Sequence, residues 1–403
     1  MGQDIGANTA SALPVAADRV EWLDGVRALA ALFVVLHHAW LMTVGGYPGN
    51  NGPWFTDWLI YGHLAVSVFI VVSGFSLTLS VSKRGMLLKE GARGFLRRRF
   101  WRIVPPYWAS LVLVALLIGA GWTGPANGPE FRLRDFLVHF LLVQDAVGNV
   151  SPNGVFWSIA VEWHIYFLFP LIVVCFRKYG IKIVLPAVAA LVIAQQLLGH
   201  VVPLVGQFDR FTPAYLVLFV VGSAAAWLVR RGQGARAGAA VAALLGTAVL
   251  TYMVLAGSQR TTSAYFWVDL VVGLATAALF VALAQGRVQW LARIISIRPL
   301  AFVGSFAFSL YLIHAPILAM ITTYVVKLSP LPDDSAFGLL LLIGVPASLG
   351  AAYVFFLLCE RPFLKIRSFP ELVTALQLSF RRKGIGGHRP VPVVARDPGG
   401  KRR

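Results

Sequence analysis

Charge is scarce in this sequence, and acidic charge scarcer still: 13% of the 403 residues are Asp, Glu, Lys or Arg, with 17 acids against 35 bases. A soluble globular chain carries about 25% charged residues, so a surface wetted all round is excluded. Cysteine is almost missing. Cys175 and Cys359 both fall inside apolar stretches, which leaves no basis for a disulfide framework or a cysteine-ligated metal. The eight histidines, at 37, 38, 63, 139, 164, 200, 314 and 388, show no HExxH and no other ligand spacing, so no metal is assigned. Neither a GxxxxGK loop closed by Ser or Thr nor a GxSxG elbow occurs, which disfavours an ATP-driven pump and an α/β-type hydrolase. The first 20 residues lack the pattern of a signal peptide and read as a loose tail.

What remains is apolar. Hydrophobic residues make up 58% of the chain and the mean hydropathy is +0.74, values of an all-α, polytopic membrane bundle. The stretch Trp22 to Leu41 has spanning length, and further apolar segments follow at 58–82, 102–121, 155–176, 181–199, 211–229, 237–256, 264–285, 299–326 and 336–358, which predicts about ten transmembrane helices. Residues 135–147 hold Asp135, His139 and Asp145 in too short a run and read as interfacial or re-entrant.

The net charge of +18 could indicate a nucleic-acid partner, but the bases sit in short clusters between apolar runs. That is the positive-inside signature, and no nucleic acid is expected. With ten crossings, the clusters at 83–102, 177–178, 230–236, 287–298 and beyond Lys365 all fall on the cytoplasmic side, as do both termini. The outer loops, near 46–57, 122–154, 200–210, 257–263 and 327–335, are short. Three regions result: a flexible tail 1–20, a membrane domain 21–365, and a basic tail 366–403 with Arg381, Arg382 and Lys383, expected to be disordered against anionic lipid.

Ionisable groups inside such a bundle are functional candidates. Eleven residues separate Arg27 from His38, nearly a whole number of turns, so both lie on one helix face roughly 16 Å apart, while His37 falls on another face. Glu162 sits at a depth matching that of His38, roughly 12 Å below the outer surface, and Ser158, Glu162 and Tyr166 share one seam at i, i+4 and i+8. A carboxylate that orients an imidazole leaves its other nitrogen as a base able to prepare a hydroxyl for attack on an acyl carbonyl. A purely structural pairing of Glu162 with Arg or His is the alternative. Arg98, Arg99 and Arg102, at the mouth of the third span, suit phosphate groups of a nucleotide-containing donor, or else anchor topology against anionic lipid. Pro105 and Pro106 are expected to set how the chain enters the membrane. Ser73 beside Gly74 fits a thin ligand arm or tight helix packing. Ser309, Tyr311 and His314 lie in one apolar helix that Pro316 is expected to kink, His314 being a ligand or a packing residue.

Six motifs then appear in order: Arg27 to His38 within LDGVRALAALFVVLHHA; VSVFIVVSGF; Arg98, Arg99, Arg102, Ile103, Pro105 and Tyr107; Trp157, Ser158, Glu162 and Tyr166; Ser305, Ser309, Tyr311 and His314; and Glu360 to Pro362. In this order they resemble the integral-membrane acyltransferases of the acyltransferase 3 class, which include O-acetyltransferases of bacterial surface polysaccharides. The resemblance covers roughly residues 20–365 and implies a multi-pass protein of the bacterial plasma membrane. It implies transfer of an acyl group, usually acetyl, from cytoplasmic acyl-CoA to a hydroxyl of an extracytoplasmic or lipid-linked glycan, in association with polysaccharide synthesis or export machinery. It makes His38 the catalytic histidine, acting as general base or brief acyl acceptor, Arg27 its partner, and Arg98, Arg99 and Arg102 the donor-side motif. Glu162 joins the catalytic group as the residue that orients His38, and Ser73, Ser158, Tyr166, Tyr311 and His314 are supporting residues. Many members carry an acidic residue where this chain has Ser67. A reading from another class stays open: a multispan transporter of a small polar or acylated solute, with His38 and Glu162 as proton relay.

Overall fold

Apolar helix of about 20 residues crosses a hydrocarbon slab about 30 Å thick, because only intrahelical bonding satisfies the backbone there. The computed structural model describes residues 21–326, 332–366 and 370–371; the expected tail 1–20 and nearly all of the basic tail lie outside them. Among the described residues the secondary structure is helical throughout, without strands. The long helices are α1 (Glu21–Thr43), α2 (Leu64–Ser82, entered through the 3-10 segment Trp54–His63), α3 (Gly91–Gly119), α5 (Phe156–Tyr179), α6 (Ile181–Gly199), α8 (Ala214–Arg230), α9 (Ala235–Ser263), α10 (Tyr265–Ala284), α13 (Ala307–Ile321) and α15 (Val345–Phe355, extended by turns at both ends). Shorter pieces are α4 (Leu133–Phe140), α7 (Pro203–Gly206), α11 (Gln289–Ile295), α12 (Arg298–Ser305) and α14 (Asp333–Leu339). Nine of the described helices are long and apolar enough to cross a membrane, and ten if Pro203–Phe211 and α8, bent by 54°, count as one span. The chain is a polytopic helical bundle of the predicted class.

Helix α2 is the most enclosed span, whereas the apolar stretch of α9 has no residue buried and faces lipid. Close packing of α2 on α8 needs glycine twice. A Cβ on Gly74 would collide with the Phe219 carbonyl, and one on Gly222 with the Val71 carbonyl. This contact fixes the rotation of α2, so that Gly74 turns to α8 and the neighbouring Ser73 turns to the bundle interior.

Both proline sites lie inside helices. Pro105 and Pro106 lie inside α3, which starts at Gly91, so the basic run is the continuous lower part of a spanning helix and not a separate entry segment. The helix containing Pro316 continues to Ile321, and the interruption in segment 299–326 falls at Phe306 (φ −126°, ψ 21°) between α12 and α13. Proline removes the N–H that would bond the carbonyl four residues back. Leu312 O is that carbonyl, and it accepts from Ser110 Oγ (3.1 Å) and Asn153 Nδ2 (2.9 Å) instead, which ties the turn before His314 to α3 and to the loop preceding α5.

Candidate functional site

The lower part of α3, the start of α1, most of the length of α2, the first half of α5, the start of α13 and the last turns of the final span among the described residues line a cavity of about 490 Å³. Its wall carries Arg27, Arg99 and Arg102 together with Asp24, Glu162 and Glu360. The Arg27 fork is held by Asp24 Oδ1 (2.9 Å) and Ser76 Oγ (3.1 Å). The Arg99 guanidinium stands over the rings of Phe95 (5.7 Å) and Tyr166 (5.8 Å), and its Nε is buried with no hydrogen-bond partner. A buried guanidinium donor left open is costly unless an acceptor fills it. Arg98 is turned aside: it pairs with Glu90 (3.2 Å) and donates to Lys89 O (2.8 Å). Of the three expected donor-side arginines, the cavity therefore takes Arg99 and Arg102.

Ser158, Glu162 and Tyr166 all reach the cavity along one seam of α5. Glu162 does not pair with His38, however. Its carboxylate accepts from Ser73 Oγ (2.5 Å) and from Tyr166 OH, which corrects the expected Glu162 to His38 contact. Matched depth put the two groups at one level of the membrane, but α5 presents Glu162 to α2 and away from α1. At the deep end Ser158 Oγ and Tyr311 OH are 2.6 Å apart, and the Tyr311 ring lies 6.0 Å from that of His314.

Beyond Tyr311 stands the histidine pair. His38 is half-buried on α1 and does not line the cavity; His314 is fully buried on α13, with Nε2 3.3 Å from His38 Nδ1. Nδ1 of His314 is 2.9 Å from Leu310 O, and Nδ1 of His38 is 2.9 Å from Val34 O. Carbonyl oxygens only accept, so in the neutral pair each Nδ1 carries the proton. His314 Nε2 then presents a lone pair to the His38 Nδ1–H, and His38 Nε2 is left as a free base. His37 is turned to Leu59 O (2.6 Å), on the other face as expected.

Two groups were not singled out from the sequence. Glu360 was read only as part of a closing motif, yet it is buried, lines the cavity and accepts from Ser309 Oγ (2.5 Å). Asp269 is the lone carboxylate of α10, and an acid in so apolar a helix was the signal available. It accepts from Ser67 Oγ (2.6 Å) and lies 3.1 Å from His63 Nε2, so a carboxylate from another helix stands beside the serine found where an acidic residue was expected. Tyr215 OH is 2.9 Å from the same His63 nitrogen, and the His63 ring stacks between Tyr265 (4.3 Å) and Trp157 (5.7 Å). Among the described residues no group of three or more His, Cys, Asp or Glu is placed to hold a metal ion.

Fold and site together define a multi-span helical membrane protein with a guanidinium-lined cavity below a pair of imidazoles in contact. The family model described as an acyltransferase domain matches residues 20–357, and the chain belongs to that family. It is 23% identical over 326 residues to the peptidoglycan O-acetyltransferase OatA of Listeria monocytogenes, covering 74% of this chain and 49% of that one. It is 24% identical over 324 residues to the putative peptidoglycan O-acetyltransferase YrhL of Bacillus subtilis (74% and 49%). To the O-acetyltransferase OatA of Staphylococcus aureus it is 24% identical over 336 residues (76% and 51%). The chain thus spans about half the length of these relatives, and no solved structure matches it.

Proposed function

We propose that this protein is a membrane O-acyltransferase that moves an acyl group, acetyl by preference, from acyl-CoA at the cytoplasmic end of the bundle to a hydroxyl of an extracytoplasmic glycan. The observation that carries the reading is the 3.3 Å contact between His314 Nε2 and His38 Nδ1, each Nδ1 also meeting a backbone carbonyl, an arrangement that favours His38 Nε2 as the base. Arg99, with its open buried Nε, and Arg102 would hold the phosphates of the donor, and Arg27 would add a third cation to the same wall. The acylated arm of the donor reaches His38 once the Tyr311 hydroxyl releases Ser158, at the point where the cavity ends. His38 Nε2 then takes the proton of the hydroxyl as its oxygen attacks the thioester carbonyl, the charge on the ring is shared with His314 through the Nδ1–H, and as the C–S bond breaks the departing CoA sulfur takes that proton back. Glu162, occupied by Ser73 and Tyr166, acts by fixing the α2 and α5 walls around that arm. The relatives named for O-acetylation of peptidoglycan support a glycan acceptor, and the basic clusters support the cytoplasmic placing of the donor end.

Positioned base catalysis contributes about 10² to 10⁴-fold. His38→Ala should lose CoA release from acetyl-CoA in the presence of glycan acceptor by about that factor, while eluting as wild type on size exclusion. Undiminished glycan acylation by the folded variant removes the reading. A carrier of solutes would release no CoA from either protein.

A further inference from the structure

A second cavity, of about 580 Å³, lies at the opposite end of the bundle from the arginines, between the loop that joins α4 to α5 and the turn before α8. Its wall is largely apolar and carries a cluster of polar side chains, Asn127, Gln144, Asp145 and Asn149, with Trp157 and the exposed Arg210. Two of these groups have oxygens that the protein leaves open. Gln144 is 8% exposed and gives its Nε2 to Phe156 O (3.0 Å), while its Oε1 has no hydrogen-bond partner. The Asp145 side chain is 5% exposed and its Oδ2 also lacks one, with His164 Nδ1 standing off at 3.6 Å, beyond hydrogen-bond reach. Buried acceptors are nearly always matched in a folded chain, so two open ones beside one cavity call for a partner.

We propose that this cavity binds a saccharide, the glycan acceptor of the reaction. The inference rests on the acyl-transfer reading for the word acceptor, and on the cavity itself for the ligand class. A sugar hydroxyl both donates and accepts, which is what amides and a carboxylate can answer together, and its ring has an apolar face for an indole. Lipid tails would find too many open polar atoms. An anion would meet Asp145 as well as Arg210. Burial pushes the Asp145 carboxyl up to about 7, so near neutral pH it can offer a proton to a hydroxyl or accept one. The position also suits delivery: Trp157 lines this cavity and Ser158, the next residue, lines the inner one, so the first turn of α5 separates the two. The loop beneath the cavity is bonded through Asn153 to Leu312, two residues before His314.

The test uses the full chain in nanodiscs, with chitotetraose and maltotetraose as probes read by saturation-transfer NMR. Saturable transfer to at least one tetrasaccharide is expected. Asp145→Ala combined with Arg210→Ala should weaken it at least tenfold, and Asp145→Asn should recover part of the loss. If the double variant does not fold, Arg210→Cys in a chain whose Cys175 and Cys359 are replaced by Ala gives a second measurement, since bound saccharide should slow its modification by a maleimide. Wild-type protein that shows no saturable transfer from either probe, or a folded double variant that binds as wild type, overturns the inference; so does labelling of Arg210→Cys that neither saccharide slows. Such results leave the acyl-transfer reading standing, whereas glycan acylation by His38→Ala would end that reading and leave saccharide binding in place.

Discussion

A carbonyl oxygen can only accept, and on that constraint depends which nitrogen of His38 can act. Val34 O and Leu310 O each claim an Nδ1–H, and the 3.3 Å contact between the rings then runs from His38 Nδ1 to the His314 Nε2 lone pair. On the proposed reading His314 is a positioning residue, which needs to accept one hydrogen bond. Removing an acceptor from a donor that becomes charged in the reaction costs about 1.5–3 kcal/mol, or roughly 10 to 100-fold. His314→Ala should lower kcat by such a factor and leave the KM for acyl-CoA unchanged, and His314→Gln, whose amide oxygen can accept, should recover most of it. Steady-state kinetics of the two purified variants decides the matter: equal losses in both would reduce His314 to a packing residue. The sequence named both histidines but could not pair them, since 276 residues separate them and nothing in a periodicity reports on contacts of that range. It failed with Glu162 for a related reason. Depth along a helix can be counted from a sequence, but the lateral neighbour is chosen by packing, here by the glycine contact that swings Ser73 toward α5.

Helix α3 shows what an element adds to its residues. Successive residues are 100° apart on a helix, so an unbroken helix through the basic run cannot send all of it to one place. Arg99 and Arg102, at i and i+3, share a face and enter the cavity; Arg98, one step round, meets Glu90 and the Lys89 carbonyl. Arginines that looked equivalent as a motif thus divide between the cavity wall and the segment before α3. Arg99→Ala should raise the KM for acyl-CoA about tenfold or more with a smaller effect on kcat, whereas Arg98→Ala should leave that KM within about twofold, because its partners are exposed surface groups of the same segment. Donor titrations on the two variants check this, and equal effects would return the whole run to a lipid-facing anchor. The helix was legible to within a few residues at its far end, but its start at Gly91, eleven residues before the expected position, was not. Hydropathy marks where a helix enters lipid and is silent on how far it continues in water.

At the scale of the molecule, charge and length settle orientation jointly. The eight residues of α4 extend about 12 Å, against about 30 Å of hydrocarbon, so this piece cannot be a crossing. The bent unit of Pro203–Phe211 and α8 must be one, because Arg177 with Lys178 and Arg230 with Arg231 then fall at the same end of the bundle, separated by α6 and α8. The same end receives Arg27, Arg99, Arg102 and Glu360, since these line one cavity. Every basic cluster inside the described residues is then on one side, and the proposed donor would arrive from there. Single cysteines test the claim once Cys175 and Cys359 are replaced by Ala: a membrane-impermeant maleimide added to intact cells should label Glu130→Cys, in the exposed loop before α4, and should reach Arg84→Cys, in the exposed turn after α2, only when the membrane is opened. Labelling of Arg84→Cys in sealed cells would invert the bundle, placing the guanidinium cavity on the side where no acyl-CoA is available and ending the proposed direction of transfer.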